Sequence, residues 1–249
     1  MMQRSNNGYT LVELLVVVII ISIMATIALK SLKLSTTVAR VEETKKKLEK
    51  LAWGIAGNPD LVTAGFRNSY GFVGDNGVMP STLGALVTNP GGWATWKGPY
   101  YRDAFSTDGS SPYVTKDSWG TTLTYASSGV TITSTGSGSN ITRNIAARLN
   151  DLLYNSVIVT VVDLAETPPG AVYKDSTKVL LTVPNGAGST TTKLKYPAKD
   201  GLVQFDSIPI GPHALTVVYV PYNDTLRSQV LVNQGNTSVA KVALYRRVW

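Results

Sequence analysis

A chain of 249 residues, 16% of them charged, can hold one large domain or two ordinary ones and is not a disordered polymer. The formal charge of +7 is spread along the sequence, and the densest basic cluster, Lys45, Lys46 and Lys47, is flanked by Glu42, Glu43 and Glu49 as on a solvated helix face, so no nucleic-acid partner is expected. The lack of cysteine excludes disulfides, thiolate nucleophiles and cysteine metal sites, and the single histidine, His213, excludes mechanisms that need two imidazoles.

Residues 1–8, "MMQRSNNG", are polar and carry one fixed positive charge, Arg4. From Tyr9 to Leu29 the chain is apolar apart from Thr10, Glu13, Ser22 and Thr26. About 21 residues at about 1.5 Å each span the roughly 30 Å hydrocarbon layer. Positive charge ahead of the segment favours leaving the first residues in the cytoplasm and the bulk of the chain outside, although Lys30 and Lys33 just beyond weaken that bias. A cleaved secretory signal with Thr26 and Ala28 at the cut is the rival reading. Its apolar core is shorter and holds no acid.

The helical pattern continues past that cut. Val38, Val41, Leu48, Leu51 and Ile55 recur as one stripe, and Glu42 with Lys46 and Glu43 with Lys47 form i,i+4 pairs on the other face. Gly54, Gly57 and Pro59 in "GIAGNPD" stop the helix. A rod of about 45 residues, near 70 Å, therefore starts in a membrane and projects from it.

"RSNNG" followed by "YTLVEL" resembles the start of the type IV pilins and, more narrowly, of the pseudopilins of type II secretion: a basic leader, a glycine, an aromatic residue and a glutamate fifth after the glycine, ahead of a long apolar helix. The resemblance implies cleavage by a prepilin peptidase after Gly8, methylation of the Tyr9 amine, and packing of the helices into a filament. It also implies a role for Glu13. The released Tyr9 amine of one subunit and the Glu13 carboxylate of another are opposite charges, each costly alone in an apolar setting and far less so as a pair. The alternative is a Glu13 that reaches the lipid headgroups. Many family members break the helix with a proline near its outer end, whereas here the sequence reads "ATIALKSLKL".

Three pieces of the following segment, "MPSTLGALVTNP", "WKGPYY" and "KDSWGTTLTY", resemble the globular body of the major pseudopilin, with Asp117, Trp119 and Gly120 matching a hairpin in which Ser118 replaces a proline. "TTLTYASSGVTITSTG" is expected to form two short strands around a Ser-Gly turn. In that family the next loop binds calcium. The matching stretch here, "STGSGSNITRN", has no acid, and calcium prefers six to eight oxygens including carboxylates, so no calcium site is expected in it.

"NIAARLNDLLYNS", residues 144–156, is expected to be a short amphipathic helix or linker. Beyond it the period changes to two. About seven apolar or alternating segments separated by Pro, Gly, Asn and Asp indicate a β-sandwich, with Val179, Leu181, Val203, Phe205, Leu215, Val217, Val230 and Val232 facing inward. "GLVQFDSIPIGPHALTVVYVPY" resembles the carboxypeptidase regulatory-like, transthyretin-like sandwich through Gly201, Phe205, Ile208, Pro209, Gly211 and Leu215. His213 is placed at a strand entry with a structural use. Sequons occur at Asn140, Asn223 and Asn236.

The expected fold class is α+β: a leader at 1–8, a long helix over 9–57 whose residues 9–29 span the membrane, a pseudopilin body over 58–143 with a small sheet, a linker at 144–156, and an all-β sandwich over 157–249. The expected function is that of a structural subunit of a type II secretion pseudopilus or type IV pilus-like filament, in protein secretion or surface attachment. Alternatives are a minor or tip subunit, and a membrane-anchored carbohydrate- or peptide-binding protein. No catalytic, metal or cofactor motif is present, and an enzyme is not expected. The implied partners are other copies of the chain, the prepilin peptidase, an inner-membrane assembly platform and the membrane. The implied location is the inner membrane, single-pass, with the globular part outside the cytoplasm, then a periplasmic or extracellular filament.

Overall fold

The computed structural model describes residues 10–102 and 112–249. The rod is one unbroken helix, α1 (Leu11–Ala56). With neither proline nor glycine before Gly54, nothing interrupts its backbone ladder. It stops where the Gly57 N–H bonds back to the Trp53 carbonyl, 2.7 Å away. The Arg67 guanidinium then takes the carbonyls of Ala56 and Gly57 at 2.5 and 3.1 Å, placing a cation on the negative end of the helix.

The buried face of α1 starts later than the sequence pattern suggests. Val38 is 55% exposed, and the stripe that packs begins at Thr44 and runs through Leu48, Leu51, Ala52 and Ile55. Below Thr44 only Val41 is half-buried, and no other described residue folds over the helix. The expected i,i+4 ion pairs are also replaced. Glu42 takes Lys45 at 2.8 Å, and Lys47, on the half-buried side, donates to the Tyr113 carbonyl.

A two-strand hairpin, β1 (Val62–Thr63) with β2 (Phe66–Arg67), follows. Then come α2 (Gly71–Asn76) and a 3-10 turn, Leu83–Leu86, whose Phe72, Val73, Leu83 and Leu86 close over the buried end of α1. The small sheet is antiparallel in the order β3 (Thr124–Ala126), β4 (Thr131–Ser134), β5 (Ile141–Asn144), and it lies against α1. β3 and β4 are the expected pair. The third strand, β5, occupies the second half of the stretch read as a loop, because Ile141–Asn144 pair with Thr131–Ser134.

Asp117 organises this sheet. One oxygen accepts the N–H of Trp119 and of Thr121, at 2.9 and 2.8 Å, and the other accepts the Ser134 hydroxyl and the Gly136 N–H, at 2.6 and 3.1 Å. Burial would raise its pKa, but the Ser134 hydroxyl and three backbone N–H groups outweigh burial and hold it below the ordinary aspartate value of 3.8.

The expected linker is part of the fold. Only Leu149–Leu153 is helical (α3), with Leu152 fully buried in the first core, and Asn155 and Ser156 already belong to β6 (Asn155–Val162). After the short α4 (Gly170–Tyr173) come β7 (Thr177–Pro184), β8 (Thr190–Lys195), β9 (Leu202–Ile208), β10 (Gly211–Tyr219), β11 (Asp224–Val232) and β12 (Thr237–Ala243). The seven strands from β6 to β12 form two sheets, ordered β11-β10-β7-β8 and β12-β6-β9. All eight residues expected to face inward are buried, and Val179 and Leu181 sit opposite Val217 and Leu215 across β7 and β10. β12 runs parallel to β6, the only parallel pair among the described strands.

The two bodies are joined tightly. Ile210, at the turn between β9 and β10, sits in the first core rather than in the sandwich, and its N–H bonds to the Leu152 carbonyl at 2.9 Å. Gly211 lies so close to the Gly74 carbonyl that a Cβ would come within 2.9 Å of it. Trp93 covers Gly188, whose carbonyl accepts the Ala94 N–H at 2.9 Å.

Two outcomes are expected. Gly188→Ala places a Cβ 2.4 Å from the Trp93 ring at φ +82, so it is expected to cost about 2–3 kcal/mol by strain and overpacking, read as a lowered thermal midpoint in detergent. Because the Asp117 pKa is lowered on folding, its stabilisation is complete above about pH 4 and fades as the pH falls through the lower folded value. Asp117→Asn is expected to flatten that acid limb of the stability profile, followed by circular dichroism melts across pH.

Candidate functional site

The one ionisable residue in the apolar part of α1 lies in its first turn. Thr10 is the N-cap, with extended backbone, and its hydroxyl accepts the Glu13 N–H at 3.3 Å. In return Glu13 Oε2 accepts both the Thr10 N–H and the Thr10 hydroxyl, each at 2.8 Å. This is a reciprocal capping box, and it also sets a negative charge at the positive end of the helix. Oε1 of the same carboxylate has no partner among the described residues.

The consequence for an apolar environment is direct. A lone carboxylate at a bilayer centre costs about 2.5–3.5 kcal/mol or more, because no water donates to it. In this chain two donors of its own backbone and side chain already serve one oxygen, and the other is left for a donor from elsewhere. The remaining polar groups of the span are closed internally: the hydroxyls of Ser22 and Thr26 donate to the carbonyls of Val18 and Ser22 at 2.7 and 2.8 Å.

α1 is the one helix among the described residues long and apolar enough to cross a membrane. Its side chains from Leu11 to Leu34 face outward with nothing folded over them, Leu11 82%, Ile19 50% and Leu32 63% exposed. Soluble monomers do not leave an apolar surface of that extent uncovered. A surface of that kind suits lipid or packed helices.

Of the residues singled out in the sequence, Glu13 is placed as described, while Gly8 and Tyr9 lie outside the described residues. Thr10 was overlooked as a partner of Glu13, although the spacing Thr-x-x-Glu ahead of an apolar run is the sequence signature of a capping box. His213 is buried, 1% exposed, with Nε2 2.8 Å from the Pro209 carbonyl. Burial lowers its pKa, so the neutral ring donates to that carbonyl and ties the β9–β10 turn. Among the described residues no three His, Asp or Glu side chains gather as a metal site. Two carboxylates reach the 134–144 stretch among the described residues: Glu49 is paired with Arg143 at 3.3 Å, and Asp117 already accepts four hydrogen bonds.

Residues 3–29 match the prokaryotic N-terminal methylation motif. The chain is 27% identical over 118 residues to the type II secretion system core protein G of Xanthomonas campestris pv. campestris, a match that covers 47% of this chain and 66% of that protein, just under two thirds of its length. Solved structures with a partial likeness include the TIE protein of Bacillus anthracis, 12% identical over 43% of this chain and 19% of the other at a TM-score of 0.29. BcpA, the major pilin subunit of Bacillus cereus, is 10% identical over 47% and 38% at a TM-score of 0.26. Likenesses of that size say nothing further about this chain. The N-terminal segment thus carries a prepilin-type methylation motif, and the chain is homologous to the type II secretion core protein G.

Proposed function

We propose that the chain is a structural subunit of a type II secretion pseudopilus or pilus-like filament and not an enzyme. In this reading a prepilin peptidase cuts after Gly8, the new Tyr9 amine is methylated, and an inner-membrane assembly platform lifts the subunit from the bilayer into the filament. The globular parts, proposed as a pseudopilin body over 58–143 and a sandwich over 157–249 joined through 144–156, stand outside the cytoplasm.

The observation that supports this most is the half-used carboxylate of Glu13. The capping box holds the side chain through Oε2 and leaves Oε1 without a partner among the described residues. A charged amine from a neighbouring subunit completes the carboxylate and is itself neutralised. In a low dielectric that pairing has to be geometrically correct to be favourable, since breaking it leaves an uncompensated charge at a cost of about 3–5 kcal/mol. A misplaced neighbour is therefore rejected, so the pair sets the stagger between subunits. The interface is heterologous, amine of one copy to acid of another, and such contacts propagate into helical polymers instead of closing as dimers.

The two duties of Glu13 separate by substitution. Glu13→Gln keeps an acceptor for Thr10 but cannot neutralise an amine; loss of the pair at about 3 kcal/mol or more reduces filament yield by a factor of about 100. Thr10→Val removes the cap for about 1 kcal/mol and lowers yield less than about tenfold. Sheared filaments counted by electron microscopy and immunoblot read both. Full assembly of Glu13→Gln, with loss in Thr10→Val, would assign Glu13 to capping alone.

A further inference from the structure

At the C-terminal end of α1, where the first body meets the sandwich, a cleft of about 430 Å³ opens to solvent. Its walls come from α1 through Trp53, from the segment ahead of α2 through Tyr70, from α2 through Asp75, and from the 97–100 segment through Lys97 and Tyr100, with Pro212 of β10 on the sandwich side. Small-ligand sites have volumes of roughly 300–1,000 Å³, aromatic walls and a few convergent polar groups, and this cleft has all three.

An ordered ion pair forms its polar centre. Lys97 Nζ lies 2.8 Å from Asp75 Oδ1, and the Tyr100 hydroxyl donates to Asp75 Oδ2 at 3.0 Å while accepting the Lys97 N–H at 2.9 Å. Burial raises the Tyr100 pKa, so the phenol stays protonated and remains a donor. Edge-to-face contacts with Phe72 and Trp96, at centroid separations of 5.6 and 5.7 Å, fix the Tyr100 ring. The hydrogen-bonding capacity of the pair is only partly used. A carboxylate can accept about four bonds and an ammonium can donate about three. Among the described residues Asp75 accepts two, Lys97 Nζ donates one, and the Trp53 indole N–H has no acceptor.

That set discriminates between ligand classes. The opposite charges of Asp75 and Lys97 cancel at 2.8 Å, so a phosphate or a polyamine meets no net opposite charge, and a zwitterion has to break the pair to gain from it. A hydroxyl both donates and accepts, so it bridges Asp75 and Lys97 without breaking them apart. Neighbouring hydroxyls on a ring with an apolar C–H face are the chemistry of a sugar, and an aromatic wall beside a donor–acceptor pair matches it.

We propose that this cleft binds the pyranose ring of a neutral saccharide, with the C–H face of the sugar on Trp53 and two neighbouring hydroxyls shared between Asp75 and Lys97. The site lies in the folded head and uses no residue of the apolar span, so it stands whether or not the filament reading does.

The test is saturation-transfer NMR on the full-length chain in micelles of a sugar-free zwitterionic detergent. The probes are the methyl pyranosides of glucose, galactose, mannose and N-acetylglucosamine, each also supplied as its linear oligosaccharide. At least one pyranoside is expected to take up saturation at its ring C–H protons with a dissociation constant of order 1 mM, as suits so small a ligand. Trp53→Ala and Lys97→Met are each expected to weaken that binding about tenfold. Lys97→Met is expected to leave the thermal midpoint within about 2 °C, because its side chain is 70% exposed. Tighter binding of an oligosaccharide assigns the cleft to a polysaccharide chain, and equal binding assigns it to a free sugar. Saturation of no pyranoside at about 50 mM, equal saturation of the open-chain polyol sorbitol, or binding untouched by Lys97→Met would each overturn the proposal.

Discussion

An ionised carboxylate persists in an apolar helix only if something other than water donates to it, and Glu13 meets that requirement halfway. Thr10 serves one oxygen from both its N–H and its hydroxyl, and the other oxygen is left open. Everything else about α1 follows from the same absence of water. Its hydroxyls turn back onto their own carbonyls, its ladder is unbroken from Leu11 to Ala56, and from Leu14 to Leu29 its outward face is hydrocarbon apart from Ser22 and Thr26. Such a surface suits lipid and packed helices about equally, so van der Waals contact alone says little about stagger. A single charge pair with a steep penalty for mismatch can specify it.

The upper half of the molecule solves a different problem, how to carry a second body on a small one. Ile210 of the sandwich is built into the core around α1, Gly74 and Gly211 allow backbone-to-backbone approach, and Trp93 seals the Gly188 turn. These contacts bind the sandwich to α1 through α2, α3 and the β9–β10 turn. The β8/β9 edge of the sandwich is closed by its own lysines.

Much of this was legible in the residues themselves. The rod was readable because an uninterrupted apolar run followed by a 3.6-residue stripe has one solution, and the sandwich strands because period-two alternation from Val179 to Val232 needs two sheets to bury one face. What was missed depended on contacts distant in sequence. Val38 belongs to the stripe by period, but only the head decides where burial starts, and the head ends at Thr44. Lys47 is a good i,i+4 partner until the turn at Tyr113 offers it a carbonyl. The strand at Ile141–Asn144 is polar and short, and β4 beside it makes it a strand. Leu152 reads as one apolar residue in a linker, yet both bodies close on it. The Thr10 cap is legible in the Thr-x-x-Glu spacing ahead of the apolar run.

The most direct test of the central claim is the structure of the filament itself, taken from the native host at a resolution that shows side chains. Each subunit is expected to begin at Tyr9, with its amine within about 3 Å of Glu13 Oε1 of a neighbour while Oε2 stays on its own Thr10. A subunit that retains residues 1–8, or a Glu13 carboxylate that meets only its own helix start within the assembled core, would contradict the account.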